Sequence, residues 1–302
     1  MQYISRVLGI FAFLSTLALL APNSSSAQDT SLKVTVLEVH DGDTITRAKF
    51  EDGRIIEGVR YVGANAPELK ECFGLQAKGA NEQLVLQKEV WLEMNPQDGG
   101  GFQQDLYGRF LAYVWLDSEK TDLVQVQLVQ SGYARLDPYD VTDDPGLFST
   151  RYSEQIIAAQ IAAARQRLGW WGECDPYRSS DLAIAAAKFW GEDETIYIVN
   201  RGTQPIDIGQ GWEIRDSTES KRNRLKFNTI TGQPCLVPAG GLLYVHSGVT
   251  KEQPMTHTPC NQLEIHIYWT GNPIWNNDAD KVRLFNPEGT LVYEYVYPPR
   301  GL

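Results

Sequence analysis

The chain has 302 residues, with 27 Lys+Arg against 38 Asp+Glu and a net charge of −11 with histidine neutral. Apolar residues make up 42%, and Gly and Pro occur at ordinary levels, which excludes a mainly disordered, collagenous or polytopic membrane chain. At roughly 150 residues per domain the length predicts about two domains. The acidic balance excludes a sequence-blind coat for DNA, because phosphate binding needs local positive field.

Met1–Arg6 carries one positive charge, at Arg6. Val7–Leu20 is apolar apart from Gly9, Ser15 and Thr16, and the small-residue run Ser24–Ala27 follows Pro22. That order reads as an export signal cleaved after Ala27, so residues 1–27 are expected to be removed. The alternative is an uncleaved anchor, but the apolar run is short for a spanning helix, which needs about 20 residues. The mature protein is therefore expected to be secreted or held in the cell envelope, with no stable membrane span.

Leu32–Val39 alternates apolar and polar residues, as a half-buried strand does. Asp41-Gly42-Asp43 is a turn signal, and Thr44–Ala48 continues as a strand. Glu51-Asp52-Gly53 turns again into a third strand, Arg54–Val62. A helix is predicted over Gly74–Lys88, and further strands over Val90–Glu93 and Phe110–Leu116. The clearest helix is Thr150–Leu168, where Ile157, Ile161, Ala164 and Leu168 share one face. Ser149 is its expected cap and Gly169 its expected stop. Short strands followed by helices predict a small barrel with helices packed on it.

After Pro176 the character changes. Arg178–Asp181 is polar, and from Glu194 the chain reads as short strands between Gly, Pro and Asn. These are Thr195–Val199, Trp212–Arg215, Leu242–His246, Leu263–Ile267, Val282–Phe285 and Leu291–Tyr297, a pattern that predicts a β-sandwich. The fold class is mainly β with helices, divided into residues 28–178 and 179–302. Cys72, Cys174, Cys235 and Cys260 form an even set with no zinc spacing, so disulfides are expected in an exported chain. Three connectivities are possible, and the domain division favours Cys72–Cys174 with Cys235–Cys260.

His40-Asp41-Gly42-Asp43-Thr44 places two carboxylates around a glycine. One reading is a hairpin turn; another is a site for a hard cation, which takes carboxylate and carbonyl oxygens. Arg60 interrupts an apolar strand, and Asn65-Ala66-Pro67-Glu68 follows it. Asp105-Leu106-Tyr107-Gly108-Arg109 brings a second arginine into Leu111-Ala112-Tyr113. Further on come Leu128-Val129, Gly132-Tyr133-Ala134 and Gly169-Trp170-Trp171-Gly172 with Cys174.

Together these motifs, in this order over about residues 32–175, resemble the staphylococcal-nuclease-like (thermonuclease) family. The resemblance implies an OB-type five-stranded barrel with packed helices and a Ca²⁺-dependent phosphodiesterase acting on DNA and RNA. By the same resemblance Arg60 and Arg109 would clamp the scissile phosphate, and Glu68 would act on the attacking water. Asp43, Asn65 and the Ala66 carbonyl would ligate Ca²⁺, with Asp41 acting through water. Cleavage would leave 3′-phosphate and 5′-hydroxyl ends. The family usually has Asp at the position of Asn65 and often Thr at that of Ala66, so one ligand charge is missing. A module that binds nucleic acid or surfaces with weakened chemistry is the alternative. Exported relatives carry cysteines at the positions of Cys72 and Cys174.

Ile198-Val199-Asn200-Arg201-Gly202, Gly211-Trp212-Glu213-Ile214-Arg215-Asp216, Trp275-Asn276-Asn277 and Val282-Arg283-Leu284-Phe285 resemble the lamin-tail domain, which implies an immunoglobulin-like sandwich over about 185–298. Trp212 and Trp275 read as core. Lys221, Arg222, Arg224 and Lys226 form the one basic cluster, either an exposed hairpin or a nucleic-acid patch. His246, His257 and His266 show no ligand spacing and read as structural or exposed. Residues 28–178 alone are expected to stay active, since every candidate catalytic residue precedes residue 110.

Overall fold

The computed structural model describes residues 31–96, 100–137, 150–191, 193–218, 220–231, 234–248 and 257–297. The expected signal segment and the expected cap Ser149 lie outside these residues. No helix among the described residues is long and apolar enough to cross a membrane.

Five strands close a barrel in the order β1-β2-β3-β6-β5: β1 (Ser31–Val39), β2 (Thr44–Lys49), β3 (Ile55–Tyr61), β5 (Glu89–Met94) and β6 (Phe110–Trp115). The apolar positions of these strands point inward, where Val34, Val36, Ile45, Val59, Leu92 and Val114 are buried. Closure comes from β3 running parallel to β6, with Val59 opposite Phe110 and Arg60 opposite Leu111. Outside the barrel, β4 (Gly63–Asn65) pairs with β7 (Arg135–Asp137) in a small antiparallel ladder.

Helix α1 (Gly74–Val85) stops three residues before the predicted end. Gln87 takes φ 59°, and the backbone then donates from Gln87 N–H to the Val36 carbonyl at 2.9 Å. The last residues of the predicted helix thus extend the β1 ladder instead. Helix α2 (Val124–Gln130) was not expected, since seven residues are too few to show a periodic stripe. Helix α3 (Ser153–Gln166) buries Ile157, Ile161 and Ala164 as predicted, but also Ile156, Gln160 and Ala163, while Leu168 is exposed. The stripe is wide because two partners cover it, α2 on one side and the second domain on the other.

The second domain is a sandwich of two four-stranded sheets. One holds β8 (Leu182–Lys188), β9 (Glu194–Asn200), β14 (Leu242–Ser247) and β15 (Glu264–Thr270) in the order β15-β14-β9-β8. The other holds β11 (Glu213–Arg215), β12 (Arg224–Lys226), β16 (Asp280–Phe285) and β17 (Leu291–Tyr297) in the order β12-β11-β16-β17. A short pair, β10 (Ile206–Asp207) with β13 (Leu236–Val237), completes it. Trp275 is core as expected, and Trp212 packs half-buried against it. Strand β8 was missed because Leu182–Ala187 is buried throughout, so no alternation marks it.

Sequence reasoning treated the two domains as separable, yet the structure joins them through buried polar contacts. Gln160 is fully buried; its Oε1 accepts from Leu136 N–H at 2.5 Å, and its Nε2 donates to the Ala185 carbonyl at 2.7 Å and to Tyr295 Oη at 3.1 Å. The Arg201 guanidinium pairs with Asp175 at 3.0 Å and donates to the Tyr177 and Ser180 carbonyls, while Tyr293 Oη donates to Asp175 at 2.9 Å. Removing residues 179–302 would therefore strip partners from the last helical elements of the barrel domain. Gln160→Leu keeps the volume but orphans a buried N–H and a buried carbonyl. It is expected to lower stability by about 2–4 kcal/mol, measured by chemical denaturation; a loss below about 1 kcal/mol would mean that these bonds do not form.

Both expected disulfides are present, Cys72–Cys174 across 102 residues and Cys235–Cys260 across 25.

Candidate active site

The turn between β1 and β2 carries Asp41 and Asp43, both buried. Glycine is needed between them, because a Cβ on Gly42 would lie 2.5 Å from the Ala66 Cβ and 2.7 Å from the Ala77 Cβ. The turn is thereby pressed against α1 and the segment after β4. Helix α1 fixes it further: Asn81 Nδ2 donates to the Asp41 carbonyl at 2.9 Å, and Lys78 Nζ donates to the Val39 and His40 carbonyls. Asp41 Oδ1 in turn accepts from the Asp43 N–H at 3.1 Å.

Asp43 organises the centre. Its Oδ1 lies 2.6 Å from Arg60 Nη1 and accepts from Thr44 Oγ1, while its Oδ2 accepts from the Ala66 N–H at 2.6 Å. Arg60 also donates to the Ala64 carbonyl at 3.0 Å and to Asn65 Oδ1 at 2.7 Å. Burial pushes the Asp43 carboxyl up to about 6, with Asp41 adding to the rise and Arg60 opposing it.

Arg109 immediately precedes β6, the strand beside β3. Its backbone and Nε both donate to Asp105, at 2.9 and 2.6 Å. Burial raises the Asp105 carboxyl, but the bonds from the Arg109 and Tyr107 N–H groups and the Arg109 guanidinium outweigh it, and the net shift is downward. Gly58 leaves room for this arginine, since a Cβ there would lie 3.1 Å from the Arg109 Cγ. Tyr107 is exposed, with its ring 5.4 Å from the guanidinium carbon.

Asp43, Arg60, Asn65 and Ala66 are therefore in mutual contact, and Asp41 supports them from behind. Arg109 stands just before the neighbouring strand β6, bonded to Asp105 rather than to that group. Glu68 is exposed in the turn beyond Asn65; its backbone N–H donates to Glu71 at 2.8 Å. Sequence reasoning missed the orienting roles of Asp105 and Asn81. The Asp105…Arg109 spacing was a legible signal, whereas Asn81 lay within a helix with nothing to set it apart.

The oxygens that meet here are a carboxylate, an amide and a backbone carbonyl, a donor set that suits Ca²⁺. No cluster of three or more His, Cys, Asp or Glu arranged for a metal occurs among the described residues. The contact that Ala66 makes with Asp43 is through its N–H. Lys221 and Arg222 are exposed in a short 3₁₀ turn, Arg224 is half-buried and Lys226 exposed on β12. His246 and His266 meet, Nε2 to Nδ1 at 2.9 Å, and stack with Tyr244 and Tyr268.

The model of the staphylococcal nuclease homologue matches residues 58–173, and that of the Lamin Tail Domain residues 176–299. The thermonuclease of Staphylococcus hyicus is 30% identical over 153 residues, covering 49% of this chain and 79% of the relative. That of Staphylococcus intermedius is 32% identical over 142 residues, covering 45% and 74%. The SPbeta prophage-derived endonuclease YokF of Bacillus subtilis is 31% identical over 146 residues, and the match spans 46% of this chain but only 44% of YokF. With its closed barrel and most of the length of two thermonucleases matched, the chain belongs to the family of staphylococcal nuclease homologues, here followed by a lamin-tail domain.

Proposed function

We propose that the chain is an exported, calcium-dependent endonuclease that hydrolyses DNA or RNA. One observation carries the reading: two guanidinium groups, one on β3 and one just before the adjacent β6, are each aimed by a buried carboxylate, Arg60 by Asp43 and Arg109 by Asp105. Forked donors held this way suit the oxygens of a phosphodiester and the charge that grows on them in the transition state. Glu68, exposed beyond them, is free to take a proton from the attacking water. Water then displaces the 5′-oxygen, leaving 3′-phosphate and 5′-hydroxyl ends.

Asp43 and Asn65, with the backbone at Ala66, would hold Ca²⁺, which supplies positive charge to the phosphate oxygens when bound. Arg60 now bridges the Asp43, Ala64 and Asn65 oxygens, so engaging a phosphate requires it to release some of them. That engagement, with the amide at position 65, favours the second reading, a binding module with weakened chemistry. Gel assays of nuclease activity with and without Ca²⁺ separate the two: calcium-dependent clearing supports the enzyme, and retention without cleavage supports the module. Residues 28–178 and 179–302 are the proposed domains, and the oxidised cysteine pairs support a destination outside the reducing cytosol.

Asn65→Asp is expected to tighten Ca²⁺ binding about tenfold, because affinity follows ligand charge. Calorimetry on both proteins checks this; equal affinities would remove position 65 from the ligand set.

A further inference from the structure

A groove leads from the candidate site toward the second domain. A cavity of about 320 Å³ is lined by Asn65, Pro67, Arg135, Trp170 and Pro176 among others. A second, of about 200 Å³, shares Arg135, Trp170 and Pro176, and its far wall is Tyr293 to Val296 of β17. The first is near the lower end of ligand pockets, roughly 300–1,000 Å³. The disulfide Cys72–Cys174 forms part of the first cavity's lining.

Arg135 stands where the two cavities meet. It is directly opposite Asn65 in the β4·β7 ladder, so the groove begins one cross-strand step from the candidate site. Its guanidinium carbon lies 4.2 Å from the Trp170 ring centroid. Among the described residues its side chain makes no hydrogen bond and no ion pair, although Asp137 and Asp175 lie near enough to act on its charge. Lys70 is an exposed second cation along the groove, whereas the acidic groups have partners. Asp175 is bound to Arg201 and Tyr293, and Glu294 to Lys281 at 3.3 Å. Glu71 accepts from the Glu68 N–H. Burial weakens the hold of Arg135 on its proton. No nitrogen of this half-buried guanidinium is among the buried atoms left without a partner, so its donors open on the groove, where a phosphate oxygen can replace water.

We propose that Arg135, backed by Trp170, is a subsite for a phosphodiester of the substrate strand outside the scissile position, with β17 of the lamin-tail domain as its far wall. The inference rests on the nuclease reading above and adds a role for the second domain in holding substrate. Trp170, Tyr293 and Tyr295 are buried, so the groove offers the Arg135 guanidinium to a phosphate rather than open ring faces to bases. The basic cluster Lys221–Lys226 lies on or beside β12, at the opposite edge of the sheet from β17, three strand spacings or about 14 Å away. The subsite therefore does not depend on it.

The test is anisotropy of a fluorescent single-stranded DNA of about a dozen nucleotides, long enough for such a groove. It is run on the full chain in chelator, so that binding is read apart from cleavage. Arg135→Gln is expected to raise Kd about tenfold and to lower the slope of log K against log salt by about 1, while Arg135→Lys restores the slope. Melting curves show whether each variant folds. Val296→Glu provides a second variant at an exposed position of β17, and should also weaken binding by placing negative charge on the far wall. Wild-type affinity and salt slope in both Arg135→Gln and Val296→Glu would overturn the subsite. Weak binding in Arg135→Gln alone would overturn the part assigned to β17. A wild type that binds in this way but never cleaves would contradict the nuclease reading and leave the subsite supported.

Discussion

Replacing Arg60, Arg109 or Glu68 is expected to slow cleavage by about a hundredfold or more in each case, the usual range for one electrostatic or acid–base group. The three losses should differ in kind. Arg60→Lys keeps the charge but loses the fork that spans the Asp43, Ala64 and Asn65 oxygens, so the acidic turn loses its bridge along with the phosphate contact. Arg109→Lys leaves Asp105 with its bonds from backbone N–H groups, so stability should hold while turnover falls. Glu68→Gln removes a base at an exposed position and should leave both folding and binding intact. Turnover on an oligonucleotide, with a melting curve for each variant, is the check. Wild-type turnover in Glu68→Gln would remove that residue from the mechanism.

Loss of the Cys72–Cys174 bridge should give the largest effect on stability. It closes a loop of 102 residues and ties the segment just after Glu68 to the end of the barrel domain. In the chain-entropy picture such a closure contributes roughly 2–5 kcal/mol. At about 2–4 °C per kcal/mol for a chain of this size, the double Cys→Ser variant should melt on the order of 5–15 °C lower. Because Cys72 and Cys174 both line the first groove cavity, oligonucleotide binding should weaken as well. An unchanged melting temperature would show that the bridge constrains little in the unfolded chain. The same comparison can be made on the wild type with and without reductant.

Strands with one buried face were legible because alternation records burial directly. Val34, Val36 and Val39 mark β1 in this way, and Leu291–Tyr297 matches β17 end to end. Where both faces are covered the record disappears, as in the alanine-rich β8. Position along the chain also hid what meets in space. Arg135 and Asn65 are seventy residues apart yet directly opposite in one ladder, and nothing local to Arg135 announces that. The acidic turn and both arginines stood out because charge in an apolar strand is rare. Their orientation did not, since it depends on Asp105, Asn81 and Gly42, residues that look ordinary until the backbone closes around them. The interior shared by the two domains was likewise illegible, because nothing local to Gln160 or Arg201 shows which distant groups they meet.

The central claim is that the constellation around Asp43, Arg60, Glu68 and Arg109 hydrolyses nucleic acid with the help of calcium. The most direct measurement is the cleavage rate of a defined oligonucleotide by the purified mature chain, with Ca²⁺ and with chelator, alongside Glu68→Gln. Calcium-dependent cleavage that leaves 3′-phosphate ends and falls about a hundredfold in the variant is the expected result. No cleavage by the wild type in Ca²⁺, or equal cleavage by the wild type and the variant, would contradict it.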